Sequence, residues 1–280
     1  MGNTKPIIES LAQLENSLRS HSSMVEDMNP VFDRIRRNEL SAIQIEGVLA
    51  QYSLLPKAIV EFLSTGTSRL QGWTNIESEL ERNVAEEMGS RTEGLSHYVI
   101  LENALLRELG IDVENVRATV GTKEFLDSIK SGLSHQSAPY VAGMLYALEA
   151  SAVPELMIVA KLVNHYARMI GLNSPIALSG MTVRKQNDVS LVNDRYSLNV
   201  FFASHLWDFE VGHRKRLALT ITEDLPTSPT CVSLLESGFN FVLTAMDSWW
   251  FSMSIKNAST DLAYDGCVVT NVNNNEIPVS

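Results

Sequence analysis

The period at which apolar residues recur constrains this chain more than any other feature. Residues 7–25 place Ile8, Leu11, Leu14 and Leu18 along one helical stripe, and residues 41–63 repeat the pattern through Ile45, Val48, Leu49, Tyr52, Leu55, Ile59 and Phe62. Pro56 is expected to kink or interrupt that second segment. Further helices are predicted over about 74–88, with Gly89 and Ser90 as a stop, and over about 94–109, closed by Gly110. Segments 121–132, 138–150, 153–171, 190–220 and 229–252 follow, with Pro154 in the first turn of one of them. Alternating strand patterns with Asn-Gly or Asp-Gly turns are absent, so the fold class is all-α. The polar stretch 172–189 reads as a loop. The expected organisation is a helical extension over 1–28, one helical-bundle domain over 29–254 and a loose tail over 255–280.

Composition bounds the partners. The 280 residues are 45% hydrophobic and 20% charged, enough for a real core, and the net charge is −11. An acidic surface repels phosphate backbones and anionic lipid, so neither nucleic acid nor a membrane is an expected partner. The most apolar run, 141–163, contains Glu149, Pro154, Glu155 and Lys161 and makes a poor membrane span. Cys231 and Cys267 form no Cys-x-x-Cys pair, and the first twenty residues have no apolar signal core. Pro6 stands where N-myristoylation wants Ser or Thr. The expected compartment is the cytoplasm.

Three segments carry residues able to do chemistry. In NVAEEMGSRTEGLSHYVILENALLRELG, Glu86 and Glu87 end one helix and His97 opens the next, so the turn can bring carboxylate and imidazole together; surface glutamates and a half-exposed histidine are the plainer alternative. In GMLYALEASAVP, Glu149 sits among Leu145, Tyr146, Leu148 and Ala150, where an unpartnered carboxylate is costly to bury. It is either a half-exposed helix residue or a ligand inside a bundle. In FFASHLWDFEVGH, an ideal helix at about 100° per residue points His205 and His213 about 80° apart, with Glu210 about 60° beyond His213 and Asp208 about 60° to the other side of His205. A single π-bulge shifts the phase by one residue and puts His205, Glu210 and His213 on one face. A polar stripe opposite Phe201, Phe202, Leu206 and Phe209 is the alternative. Imidazoles and carboxylates on separate bundle helices suit iron or manganese rather than zinc–thiolate chemistry.

These motifs, in this order, resemble the haem-oxygenase-like di-iron oxidases and oxygenases, whose bundle is shared with thiaminase II, the pyrroloquinoline-quinone synthase and the CADD-like proteins. NVAEEMG followed by His97 is similar to the superfamily's Asn-x-x-(Asp/Glu)-Glu-x-Gly … His signature, GMLYALEASAVP to its central ligand helix, and FFASHLWDFEVGH to its last ligand helix, here with one extra residue between His205 and His213. Over about 29–254 the resemblance implies a single haem-oxygenase-like bundle whose ligands are Glu87, His97, Glu149, His205, Glu210 and His213, with Asp208 the other choice for the carboxylate. It implies two iron ions, O2 as co-substrate and a small carboxylate- or amine-bearing substrate. A homodimer is the expected form of any protein partnership. The thiaminase branch builds its metal-free site around a cysteine, and Glu149 stands where that cysteine would be. A metal-free or single-metal binding protein or hydrolase is the alternative. Another is para-aminobenzoate chemistry, for which Tyr52, Tyr140, Tyr146 and Lys161 are the candidates. Tyr98, Leu145, Phe202 and Trp207 are either pocket or core residues, and Trp249–Trp250–Phe251 would be the patch of an interaction protein, with core packing the plainer role.

Overall fold

A computed structural model describes residues 7–178 and 197–255. They form eleven α-helices and, among the described residues, no strand. In chain order these are α1 (Ile7–Ser17), α2 (Pro30–Arg36), α3 (Ala42–Tyr52), α4 (Leu54–Arg69), α5 (Thr74–Glu87), α6 (His97–Leu109), α7 (Val120–Leu133), α8 (Ala138–Met169), α9 (Leu198–Ser204), α10 (Glu210–Asp224) and α11 (Pro229–Ser254).

Local chemistry accounts for the boundaries. Asn29 caps α2 by accepting from the Val31 and Phe32 amides, with Pro30 in the first turn, and Ser41 with Gln44 forms a capping box on α3. Pro56 does interrupt its segment. A proline ring clashes with the carbonyl four residues back, here Tyr52, and α3 ends at Tyr52 while Pro56 becomes the third residue of α4. Gly89 adopts φ +102, where any Cβ would meet the Leu95 carbonyl at 2.6 Å, and this turn folds α6 back on α5. Gly110 closes α6 at φ +70.

Boundaries differ from expectation in several places: α1 ends at Ser17, followed by a 3-10 turn over Leu18–Ser20, and α2 lies where no helix is predicted. Segments 138–150 and 153–171 are a single 32-residue helix, α8, and Pro154 lies inside it rather than starting a second one. An interior proline costs about 3 kcal/mol. Burial of Val141–Ser151 on one side and of Leu156–Ala167 on the other outweighs this. α8 is the one helix among the described residues long and apolar enough to cross a bilayer, and 78% of its most apolar window is buried in the bundle.

α8 packs most extensively on α11, with α10 against α5 and α8, and α4 against α5. The α8–α11 crossing is backbone on backbone. A Cβ at Gly143 would meet the Leu235 carbonyl at 2.0 Å, and one at Gly238 the Tyr140 carbonyl at 2.0 Å. α1 lies against α10 and α11. The segment after it is clamped on Asp247, which accepts from His21 Nδ1 (2.8 Å), Ser22 Oγ (3.0 Å), the Ser23 amide (2.8 Å) and Ser23 Oγ (2.7 Å). Trp249 and Trp250 are core residues, with Trp249 stacked on Phe125, so they form no interaction patch; only Phe251 of that trio is exposed. The loop expected over 172–189 begins as irregular chain to residue 178, and its remainder, like the tail after 255, lies outside the described residues.

Candidate metal centre

α5 contributes one polar stripe to the interior. Glu79, Asn83, Glu86 and Glu87 recur at helical spacing and are all buried. The Gly89 turn then delivers His97, at the first position of α6, against Glu87: Nδ1 stands 3.1 Å from Glu87 Oε2. α8 supplies Glu149, held by an Asn83 Nδ2 hydrogen bond of 3.0 Å.

The last wall is a helix with the bulge its spacing demands. Residues His205–Phe209 form a π-helical turn between α9 and α10. The extra residue rotates Glu210 inward, while Asp208 turns outward, 45% exposed, and accepts from Arg91 at 2.7 Å. Of the two carboxylates left open by the sequence, the bulge therefore brings Glu210 to the cluster. His213 lies one turn further on, 1% exposed.

All six expected residues, Glu87, His97, Glu149, His205, Glu210 and His213, are buried and meet in one place. Glu87, Glu210 and His213 offer ligand atoms within 4.8 Å of one another, a group that could hold a metal ion. Glu149 Oε2 lies 3.5 Å and Glu210 Oε2 3.8 Å from His213 Nδ1. On the other flank, the His97 and His205 rings are 4.5 Å apart, edge to face.

The hydrogen bonding suits a cation. His205 Nδ1 is bonded to the Phe201 carbonyl at 2.6 Å, which leaves the Nε2 lone pair aimed inward, buried and without a partner. His97 Nε2 is likewise buried without a hydrogen-bonding partner among the described residues, while its Nδ1 has only the poorly aligned Glu87 carboxylate beside it. Such orphaned nitrogens are costly in an interior unless something binds them. A ligand histidine normally has its other nitrogen fixed by a carbonyl or carboxylate, as the Phe201 carbonyl does for His205. Glu86 serves His213 in the same way, with Oε2 3.0 Å from Nε2, so Nδ1 faces the cluster. Glu86 is in turn bound by Arg91 at 3.3 Å and flanked by Arg216 at 3.7 Å.

The electrostatics separate the two flanks. Burial lowers His97 to about 4 and His205 to about 3, so both are neutral donors. Burial works against the cation at His213 as well, but the Glu149 and Glu210 carboxylates outweigh it and push His213 up to about 12. Burial raises Glu87 to about 7. The hydrogen bond and charge of His213, with Arg91, overcome burial at Glu86 and hold it below the ordinary carboxylate range.

A cavity of about 80 Å3 opens beside the cluster, and Glu87, His97, Glu149, His205 and Glu210 line it. Of the candidate wall residues, Tyr98, Leu145, Phe202 and Trp207 do not line it; Trp207 is 46% exposed, and Leu145 packs under Gly66. The wall is built instead by Tyr52, Leu55, Pro56 and Ile59 from α3 and α4 and by Leu156 and Phe201. Of the other candidates, Tyr146 bonds Glu15, Lys161 bonds Glu26, and Tyr140 packs beside His135.

The fold and site define an all-α bundle with a buried carboxylate–imidazole cluster at its centre. Residues 7–173 match DUF3865, a domain of unknown function with solved structure, and the chain belongs to that family. A CADD-like protein of unknown function from Nostoc punctiforme, known in two crystal structures, has a similar fold. The 2.00 Å structure is 27% identical with a TM-score of 0.74, spanning 89% of this chain and 96% of its own. The 1.35 Å structure is 28% identical with a TM-score of 0.73, spanning 90% and 95%. No curated protein matches the chain.

Proposed function

We propose that the chain is a non-haem iron, O2-dependent oxidase or oxygenase of the haem-oxygenase-like superfamily, acting on a small carboxylate- or amine-bearing metabolite. The observation that carries this reading is the donor set: three imidazoles and three carboxylates, all buried, with Nε2 of His97 and Nε2 of His205 left without hydrogen-bonding partners among the described residues. Hard carboxylate oxygens with neutral imidazoles suit ferrous iron. The CADD-like fold is the one that the motif resemblance implies, and the di-iron reading comes from that resemblance. Glu87, His97, Glu149, His205, Glu210 and His213 would hold the iron, with Glu87 lying between His97 and the Glu210–His213 pair.

Bound iron would supply O2 activation and electron transfer. The residues supply the rest. Glu86 and the Phe201 carbonyl fix the rings of His213 and His205, and Asn83 fixes Glu149. His213, which the Glu149 and Glu210 carboxylates hold protonated, would have to lose its Nδ1 proton to act as a ligand, so metal uptake would release protons. Leu55, Ile59 and Leu156 line an apolar space for the substrate and limit water there.

Anaerobic reconstitution with Fe(II) tests this. Close to two irons per chain are expected, with a transient visible absorption on adding O2. His97→Ala and His213→Ala should each lower the iron content. A stoichiometry near zero that neither substitution changes refutes the reading.

A further inference from the structure

The cavity holds one acidic group that the metal cluster does not use. Glu155 lies six residues after Glu149 on α8, a displacement of about 9 Å along the helix axis, and both line the cavity. It is 2% exposed, and its Oε1 accepts the Trp250 Nε1 hydrogen at 2.9 Å. No ion pair reaches it among the described residues, and no Lys or Arg lines the cavity. Tyr52 stands at the same end, 4% exposed, its ring 6.2 Å from that of Trp250.

A carboxyl buried beside empty space without a base is expensive. Accepting one indole hydrogen does not require it, since a glutamine oxygen would accept the same bond at lower cost. Burial accordingly pushes Glu155 up to about 8. What the position lacks is a cation, and among the described residues the cavity that Glu155 lines is the space from which one can reach it. A substrate carboxylate would find no fixed positive charge at this end.

We propose that Glu155, backed by Trp250 and flanked by Tyr52, is the specificity-determining group of the cavity and pairs with the ammonium head of a small primary amine. The apolar body of the amine would run along Leu55, Ile59 and Leu156 toward Glu149. A space of 80 Å3 is several times the ~10–15 Å3 that one water needs, and it suits a short-chain amine. The inference rests on the proposed iron reading for what happens to the amine, but the pairing itself does not involve the cluster.

The test is calorimetric titration of the full chain after anaerobic Fe(II) reconstitution, with n-butylammonium and 1-butanol as probes and iron counted in the same samples. The ammonium should bind at least about tenfold more tightly than the alcohol, the ratio a charge-assisted hydrogen bond supplies. Glu155→Gln should bring that ratio close to one without changing iron per chain. Should this variant fail to fold, Ala152→Leu, which fills the cavity between Glu149 and Glu155, should abolish ammonium binding. No preference in the native chain, a preference that survives Glu155→Gln, or binding that survives Ala152→Leu overturns the proposal. A chain that takes up no iron but keeps the Glu155-dependent preference supports this inference while refuting the iron reading.

Discussion

At the scale of single residues, the cluster depends on groups one step behind the candidate ligands. Glu86 touches no cavity wall, yet it holds His213 Nε2 and is itself held by Arg91. Replacing such an outer partner typically weakens metal binding about 10–100-fold. That range is expected for Glu86→Ala in an equilibrium competition with a chelator. Asp208→Ala should leave metal affinity unchanged, since Asp208 pairs with Arg91 at the surface. Equal losses in the two variants would show that the Arg91 network, and not Glu86, positions His213. Glu87, His97 and Glu149 were legible as candidates through the family resemblance of their motifs, since the local sequence alone left surface positions open for each of them. The outer partners were harder to see. Their signal is the recurrence of polar residues at 79, 83, 86 and 87, a stripe where an ordinary bundle helix would be apolar. Glu155 gave no local sign of its role, because its partner Trp250 is 95 residues away.

At the scale of elements, two devices set the geometry. One is the π-turn, which follows from side-chain arithmetic: four polar groups on one ideal helix cannot share a face, and one inserted residue lets three of them do so. The other is the α8–α11 crossing, where Gly143 and Gly238 let backbones touch. Gly238→Ala puts a methyl group against the Tyr140 carbonyl, and neither backbone can yield easily. Thermal or chemical unfolding should show a loss of about 1–3 kcal/mol, the usual cost of overpacking. A neutral result would mean that the crossing is looser than a 2.0 Å approach implies. The crossing was not readable from the chain, since a glycine inside a helix has the same appearance whether it meets solvent or another backbone. Pro154 misleads for a related reason: local propensity marks a helix start, and burial on both sides overrides it.

At the scale of the molecule, the N-terminal segment is tied to α11 through Asp247. Burial would raise this carboxyl, but the Ser23 amide and hydroxyl and the His21 ring outweigh it and hold its pKa below the ordinary value. A depressed folded-state pKa means that the unfolded chain binds the proton more readily. The clamp therefore contributes fully above about pH 4, the unfolded value for Asp, and its contribution is lost as pH falls through the folded value. Asp247→Asn should cost about 1–3 kcal/mol near neutrality. The gap from the native chain should close below about pH 4 when melting is followed across pH; a constant gap would assign the effect to packing instead. The helical class was legible because most of the longer elements carry their own apolar stripe, whereas the seven-residue α2 is too short to show a period. The six site residues, finally, are split between the two ends of the chain: Glu87, His97 and Glu149 precede residue 173, and His205, Glu210 and His213 follow residue 197. During synthesis from the N-terminus, the first three emerge while the other wall does not yet exist. The cluster can close only after α10 and α11 have docked, so a nascent chain stalled before residue 200 would expose its acids to water and have no pocket to fill.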